Sequence, residues 1–276
     1  MCADRSESSE TGPGAWGTVR FTLRVQDCTI EVNSQLPQGP VLPGALLPVL
    51  QGLSNSLTDI AVNRAGIVGK HLSCRKGCGA CCRQAVPITP VEARMISELI
   101  GALPEQRRNI VRERFRQAAE RLEQSGMAQQ FRSPPDLTDR AALHALGLRY
   151  FALAIPCPFL EEESCSIHEH RPLRCREYLV VSPAEECARP DGGQVVGIKP
   201  AVKLSQILGQ WTTSGDAQQH ELIIMTMLDE WIAGHPSCQD LAHRSAPELL
   251  HEFLTSFARD STAGSEDSGT AETLGL

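Results

Sequence analysis

Four cysteines stand within nine positions of this chain, in the stretch SCRKGCGACCRQAVP. They follow the spacing C-x3-C-x2-C-C and form the first cysteine block: Cys74, Cys78, Cys81 and Cys82. Thiols at this spacing can act as redox partners, hold a metal ion or cradle an iron–sulfur cluster. Gly77 and Gly79 flank Cys78, and glycines let the backbone turn sharply enough for neighbouring sulfurs to converge on one centre.

Three further cysteines gather in the stretch IPCPFLEEESCSIHEHRPLRCREY. They form the second cysteine block: Cys157, Cys165 and Cys175. Because a thiolate metal centre takes about four sulfurs near 2.3 Å, we interpret the two blocks as two halves of one site, joined by the folding of the helices between them. Cys187 is a weaker candidate. His168 and His170 could replace a thiolate, but the sequence favours a surface position for both.

The adjacent pair Cys81 and Cys82 leaves the number of metal ions open. Consecutive side chains diverge on a helix or a strand, so both thiols reach one ion only in an irregular turn. Either one of the two packs instead of binding, or the site holds more than one metal ion.

Charge patterning supports a thiolate site, because nearby cations stabilise thiolates. Basic residues adjoin both blocks: Arg75, Lys76, Arg83, Arg171, Arg174 and Arg176. The acidic run 161–163 is predicted to be a solvated turn, and three isolated cysteines are expected to be ordinary small side chains: Cys2, Cys28 and Cys238. Buried cysteines without metal and a reversible disulfide switch are the alternatives.

The order of these motifs resembles the bacterial zinc- or iron-chelating family known as the CxxCxxCC domain, or YkgJ-like cysteine cluster proteins. The matching elements are the first cysteine block, Cys157-Pro158-Phe159-Leu160, Cys165-Ser166-Ile167 and the Arg-Pro-x-x-Cys-Arg run 171–176. The resemblance covers about residues 73–180, and His168 departs from it, since an aromatic residue is common there. It implies metal chelation without an assigned reaction.

Several function classes follow from these motifs. The first is a metal-binding protein in which the seven thiols of the two blocks hold zinc or an iron–sulfur cluster; whether it is an enzyme stays open. Flagellin lysine N-methylases look like distant relatives, which implies an iron–sulfur-dependent protein lysine N-methyltransferase as an alternative, and a thiol-based redox sensor is another. The C-x3-C-x2-C spacing also occurs in radical S-adenosylmethionine enzymes. Here, however, Ala80 stands where that motif has an aromatic residue, and no barrel-like strand–helix alternation follows.

Composition narrows the partners and the compartment. A net charge of −7 argues against general nucleic-acid binding, which needs a basic face. We expect no secretory signal and no membrane-spanning helix, because the N-terminus lacks an apolar core and no apolar run approaches about 18 residues. The expected compartment is the cytoplasm, where thiols stay reduced, so eleven cysteines favour metal binding over disulfides. Composition identifies no protein partner.

Apolar periodicity predicts the elements that must position the cysteines. Alternation over 19–25 and 30–32 predicts a β-hairpin that turns at Gln26 and Asp27. Thr89, Pro90 and Glu92 predict a capping box at the start of a helix over 90–101. Further helices are predicted over 44–68, 104–126, 138–153, 201–211, 217–233 and 246–258, with a short strand within 194–198.

The predicted fold class is α+β, mainly helical, with an N-terminal β-hairpin, a cysteine-rich metal-binding core and C-terminal helices. The chain of 276 residues is long enough for one large domain or two small ones. The predicted divisions are a disordered segment 1–16, hairpin plus helix 17–72, a metal-binding domain 73–190, a helical part 191–258 and a disordered tail 259–276.

Overall fold

The computed structural model of the protein describes residues 15–136, 138–189, 194–212, 223–235 and 244–263. Helices dominate these ranges, which confirms the predicted α+β, mainly helical class. Among the described residues, none of the helices combines the length and the apolar character that a bilayer crossing requires.

The described elements follow one another in short steps. The α-helices are α1 (Leu47–Ile67), α2 (Pro90–Ala102), α3 (Glu105–Gln124), α4 (Met127–Arg132), α5 (Arg140–Ala152), α6 (Leu173–Glu177), α7 (Leu204–Thr212), α8 (Leu228–Gly234) and α9 (Ala246–Ala263). The strands are β1 (Trp16–Val25), β2 (Cys28–Pro37), β3 (Pro40–Val41), β4 (Pro87–Ile88), β5 (Leu160–Glu161), β6 (Ser164–Cys165), β7 (Leu179–Val180), β8 (Gly197–Ile198), β9 (Ile223–Ile224) and β10 (Arg244–Ser245). Each strand pairs with one other strand, always antiparallel: β1 with β2, β3 with β10, β4 with β9, β5 with β6 and β7 with β8.

The predicted N-terminal hairpin is confirmed. Strands β1 and β2 pair from Trp16 opposite Pro37 to Val25 opposite Cys28, and Gln26 turns with a φ of 55°. Side chains alternate between solvent and the protein along both strands, as the period of two requires. The inward face of the hairpin packs into one hydrophobic core with α1, α7 and α9.

The predicted helix over 44–68 is also confirmed, with a tighter start. A 3₁₀ turn at Pro43–Leu46 leads into α1, and Pro48 lies in the first helical turn, where its missing N–H has no helical partner to lose. Trp211 of α7 meets Phe253 of α9 edge to face at 5.8 Å between ring centroids. The two helices thereby pack together in this core.

The capping box predicted at the start of α2 is confirmed, and its Glu92 side chain also bonds a second helix. The Thr89 hydroxyl accepts a hydrogen bond from the Glu92 N–H at 3.2 Å, and Glu92 Oε2 accepts one from the Thr89 N–H at 2.9 Å. Glu92 Oε1 accepts a third bond from the N–H of Leu173 at 2.8 Å. Leu173 is the first residue of α6, so one buried carboxylate joins the start of α2 to the helix that carries Cys175.

Helix α3 packs against the second cysteine block. Phe115 of α3 meets Phe159 edge to face at 5.5 Å, and both side chains are almost fully buried. Phe159 follows Cys157 and Pro158 directly, so this aromatic contact fixes the position of the first thiol of the second block.

The predicted helix over 217–233 is confirmed over 228–233 and wrong over 223–227. Residues 213–222 lie outside the described ranges; Ile223 and Ile224 form β9, a 3₁₀ turn follows, and helix α8 starts only at Leu228. Both isoleucines are buried and pair with β4, so tertiary pairing of β-branched residues overrides the helical spacing. Other ends shift too: α7 starts at Leu204 instead of 201, and α9 runs to Ala263, into the predicted disordered tail.

The Glu92 linkage generates a stability prediction. Replacing Glu92 with alanine should lower the free energy of unfolding by roughly 2–4 kcal/mol, because two buried N–H donors lose their acceptor. The measurement is urea unfolding of the variant beside Glu98→Ala, an exposed position on the same helix that should change little. Equal effects of the two substitutions would contradict the role assigned to Glu92.

Candidate metal centre

The two cysteine blocks meet in the folded chain. The N–H of Cys157 donates a hydrogen bond to the carbonyl oxygen of Cys82 at 2.7 Å, and the N–H of Gly77 donates one to Ser164 Oγ at 3.2 Å. Both bonds join the first block to the second across more than seventy positions of sequence. The structure therefore brings together the two stretches that sequence analysis interpreted as halves of one site.

The paired cysteines lie on an irregular turn. Ala80–Arg83 forms a short 3₁₀ turn, closed by the Cys82 N–H on the Gly79 carbonyl at 3.0 Å and the Gln84 N–H on the Cys81 carbonyl at 3.2 Å. The Cys81 and Cys82 side chains hydrogen-bond to each other, and this bond together with burial raises the pKa of the Cys81 thiol. This is the kind of turn that lets two consecutive thiols serve one site.

The two glycines beside Cys78 are needed for different reasons. Gly77 has a φ of +84°, in the left-handed region that favours glycine. Gly79 has an ordinary φ of −97°, but a Cβ there would lie 2.5 Å from Glu163 Oε2 and 2.7 Å from Leu160 Cδ1. Gly79 therefore lies in close contact with the second block, where an added side chain would have to displace Glu163 or Leu160.

The acidic run 161–163 fastens the second block in place. Glu162 and Glu163 both have positive φ and make the tight turn between β5 and β6. Glu163 accepts two hydrogen bonds from Arg83 at 2.9 and 2.6 Å, and Glu161 accepts from Arg107 and Arg114 of α3. The predicted solvated turn thus needs correction: two of its three carboxylates pair with arginines from other elements.

Burial favours the neutral form of several thiols in the two blocks. None of the nine described cysteines is in a disulfide. Burial raises the pKa of Cys74, Cys165 and Cys175, and raises the pKa of Cys157 to about 12. Without metal, these side chains are protonated at neutral pH and ready to release protons to a competing cation.

The thiols form two overlapping groups. Cys74, Cys78 and Cys81 influence one another electrostatically, as do Cys157, Cys165 and Cys175; the charge of Cys81 is felt in both groups. Cys81 is accordingly the thiol that links the two blocks.

Cys187 belongs to the first group. It is 4 % exposed, packs in one apolar cluster with Cys74, Ala80 and Tyr178, and its pKa is raised to about 11 by burial and by the neighbouring charges of the first block. The 3₁₀ turn Ala184–Ala188 that carries it contacts the turn of the paired cysteines. Sequence analysis gave Cys187 less weight because this contact is long-range and leaves no local signal.

Among the flanking basic residues, Arg171 acts on thiols of both blocks. Its positive charge lowers the pKa of Cys74, Cys81 and Cys165. Its Nε is buried and has no hydrogen-bond partner, which fits a cation placed to balance a negative centre. His168 lies exposed beside Arg171, whose charge lowers the histidine pKa, and His170 is exposed as well.

The other basic side chains have other tasks. Arg176 is 5 % exposed; its Nε donates to the Arg171 carbonyl and its Nη1 to Asn55 Oδ1, both at 3.0 Å, and it also bonds the Glu169 carbonyl. Arg176 thus fixes the loop that carries Arg171 onto α1, although its own charge also faces the thiols. Arg83 is held by Glu163, while Arg75 and Lys76 are exposed.

The donor set fits a thiophilic metal, although the sulfurs are not closed around a point. Within the described ranges, no three His, Cys, Asp or Glu side chains are arranged to hold a metal ion. The chemistry nevertheless matches, because free thiols are the ligands that zinc and iron–sulfur clusters take, and the positive charge of Arg171 lies near them.

The cysteine-rich part of the chain is similar to a known family of domains. Residues 73–192 match the CxxCxxCC family model, described as "Putative zinc- or iron-chelating domain". The match contains both cysteine blocks and Cys187. Comparison with curated proteins and with solved structures gave no match.

The close approach at Gly79 gives a direct test of the contact between the blocks. Gly79→Ala should destabilise the protein by about 1–3 kcal/mol, because the added Cβ overlaps the β5–β6 turn. It should also increase the reactivity of the thiols toward a thiol reagent in the folded protein. Gly101→Ala, where a Cβ meets nothing within 4 Å, is the matched control. Unchanged thiol reactivity in Gly79→Ala would count against the contact.

The raised thiol pKa values determine the direction in which metal affinity changes with pH. Protons and metal compete for thiols that are neutral at pH 7, so the apparent affinity for Zn²⁺ should rise from pH 6 to pH 8. Calorimetry in buffers of different ionisation enthalpy should show the release of about three to four protons per ion bound by four sulfurs. Protein with alkylated cysteines is the control and should bind none. A pH-independent affinity would be inconsistent with thiol ligands.

Proposed function

We propose that this protein binds a thiolate-held metal centre, either zinc or an iron–sulfur cluster, through its two cysteine blocks. The observation that carries the proposal is the contact at Cys82 and Cys157, which gathers free thiols from two distant stretches into one electrostatically coupled group. The proposed ligands come from the following thiols: Cys74, Cys78, Cys81, Cys82, Cys157, Cys165 and Cys175.

The local charges support such a centre. Four thiolates on Zn²⁺ or on a [4Fe–4S]²⁺ core give a net charge of about −2. A negative centre of this kind is costly to bury without a counter-charge. Arg171 offers one, because its positive charge faces thiols of both blocks and its buried Nε lacks a partner.

The site contains more thiols than one metal ion can bind. With Cys187, eight thiols lie in the two overlapping groups or beside them, whereas a structural zinc takes four. The arrangement can thus supply two four-sulfur centres, or one centre with spare thiols. A closed four-thiolate zinc would be structural, and an iron–sulfur cluster with an open iron would point to an enzyme.

A thiol-based redox sensor is the second candidate, favoured by the hydrogen-bonded neighbours Cys81 and Cys82 among free cysteines. In that role, the cysteines would exchange metal for disulfides under oxidation. A protein lysine N-methyltransferase would require S-adenosylmethionine binding in addition to an iron–sulfur cluster, so calorimetry with that compound on cluster-loaded protein tests it.

Anaerobic purification with metal analysis tests the main proposal. A brown protein that absorbs near 400 nm would identify an iron–sulfur cluster, and a colourless protein with stoichiometric zinc would identify a zinc site. Metal-free protein whose thiols form disulfides on oxidation would instead support the redox sensor and overturn the proposal.

Cys78→Ser provides the matched genetic test. Loss of one ligand should lower the bound metal and reduce the melting temperature by roughly 4 °C or more, because metal binding is coupled to folding. Cys28→Ser is the control, since that thiol lies in the hairpin next to Asp27 and Arg64, and it should alter neither quantity. Full metal content in Cys78→Ser would remove Cys78 from the ligand set.

A further inference from the structure

A methionine from outside the cysteine-rich domain lies against the second block. The sulfur of Met225 is 3.6 Å from the sulfur of Cys157. Met225 is 4 % exposed and shares an apolar cluster with Phe159, Ile167 and partly buried Cys165. Residue 225 stands beyond the matched range 73–192, so the motif pattern does not point to it.

Hydrogen bonds of Met225 and of the next residue fix the position of this thioether. The N–H of Met225 donates to the Val86 carbonyl at 2.9 Å, directly beside the β4–β9 pairing. Val86 follows the paired cysteines by four positions, so the same stretch that carries the first block also anchors Met225. The next residue is fixed too, because the buried Tyr150 hydroxyl bonds Thr226 at 3.2 Å.

The distance between the two sulfurs suits one metal ion. Sulfurs at about 2.3 Å from one metal ion are about 3.8 Å apart in a tetrahedral site and about 4.0 Å apart in a trigonal one. Cys157 and Met225 have nearly this separation. Cys165 and Cys81 are the other thiols that act on Cys157, and one of them would complete a three-sulfur set.

From these contacts, we propose that Met225 is a further metal ligand of the site, acting with Cys157, and that its thioether lets the site bind Cu(I) in addition to the zinc or iron–sulfur cluster proposed above. This inference rests on the proposed function. Thioethers are soft, neutral donors that select Cu(I), whereas zinc sites use thiolate, imidazole or carboxylate.

Charge balance favours the same ion. Cu(I) with two thiolates and one thioether carries a net charge of −1, which one guanidinium neutralises. Arg171 offers this positive charge, because it acts on Cys165 and its buried Nε lacks a partner. A neutral assembly of this sort lowers the cost of burying the centre.

Competitive titration tests the proposal on the full chain. Cu(I) is delivered anaerobically against bicinchoninate, and Zn²⁺ against a chromophoric chelator. Met225→Leu should weaken Cu(I) binding at least tenfold, as expected for lost metal-site interactions, and should change Zn²⁺ binding less than threefold. Met227→Leu, a buried methionine of the same 3₁₀ turn, is the control and should change neither.

X-ray absorption gives a direct structural readout. In selenomethionine-labelled protein loaded with Cu(I), the selenium edge should show a copper neighbour that disappears in Met225→Leu and persists in Met227→Leu. Leucine replaces methionine with little change of volume, and the thermal unfolding of the metal-free variants shows whether the fold is kept.

The outcomes separate this inference from the proposed function. If the protein binds Cu(I) or Zn²⁺ through cysteines but Met225→Leu has no effect and no copper–selenium contact exists, Met225 only packs against Cys157 and the inference is wrong. If the wild-type protein binds no metal at all, the proposed function is wrong as well.

Discussion

The contact between the paired-cysteine turn and the start of the second block is the constraint around which the surrounding structure is arranged. A single backbone hydrogen bond joins Cys82 to Cys157, and nearby Gly79 lies so close to the second block that a Cβ there would meet Glu163 and Leu160. The salt bridge of Arg83 with Glu163 spans the same junction from the solvent side. Several weak interactions thus act at one place, and together they define how far apart the two groups of thiols can lie.

Burial of the thiols imposes a second condition. Removing a thiol from water disfavours its charged form, so a metal-free site of this kind stays neutral. The interior then contains few fixed charges, and those that are present are tightly bonded: Glu92 by three donors and Arg176 by backbone carbonyls and Asn55. Arg171 differs from both, because its Nε has no acceptor. This suits a counter-charge for a centre whose thiols lose their protons, and so become negative, only when metal binds.

The sequence predicts what depends on neighbours along the chain. The hairpin, the capping box at Thr89 and Glu92, and most helices follow from alternation, capping residues and apolar spacing, and the structure confirms them. The cysteines themselves identify the kind of site, and the Gly77 turn follows from its residue type.

The features that the sequence does not predict depend on contacts between residues far apart in the chain. The second oxygen of Glu92 bonds α6, Gly79 is needed because of a distant turn, and Cys187 joins the first block through a contact between two 3₁₀ turns. Residues 223–227 have helical spacing as well as β-branched side chains, and only pairing with β4 decides between the two. Local periodicity cannot encode a partner more than a hundred positions away.

The pairing of β4 with β9 has a consequence for biosynthesis. Cys157 leaves the ribosome before β9 does, and translation of residues 158–225 takes roughly 3–14 s at elongation rates of about 5–20 residues per second. During this interval the flank of Cys157 that Met225 later covers faces solvent, together with reduced sulfur. In the nascent chain, this flank of Cys157 would consequently be accessible to metal ions and oxidants. It becomes buried only when β9 pairs with β4.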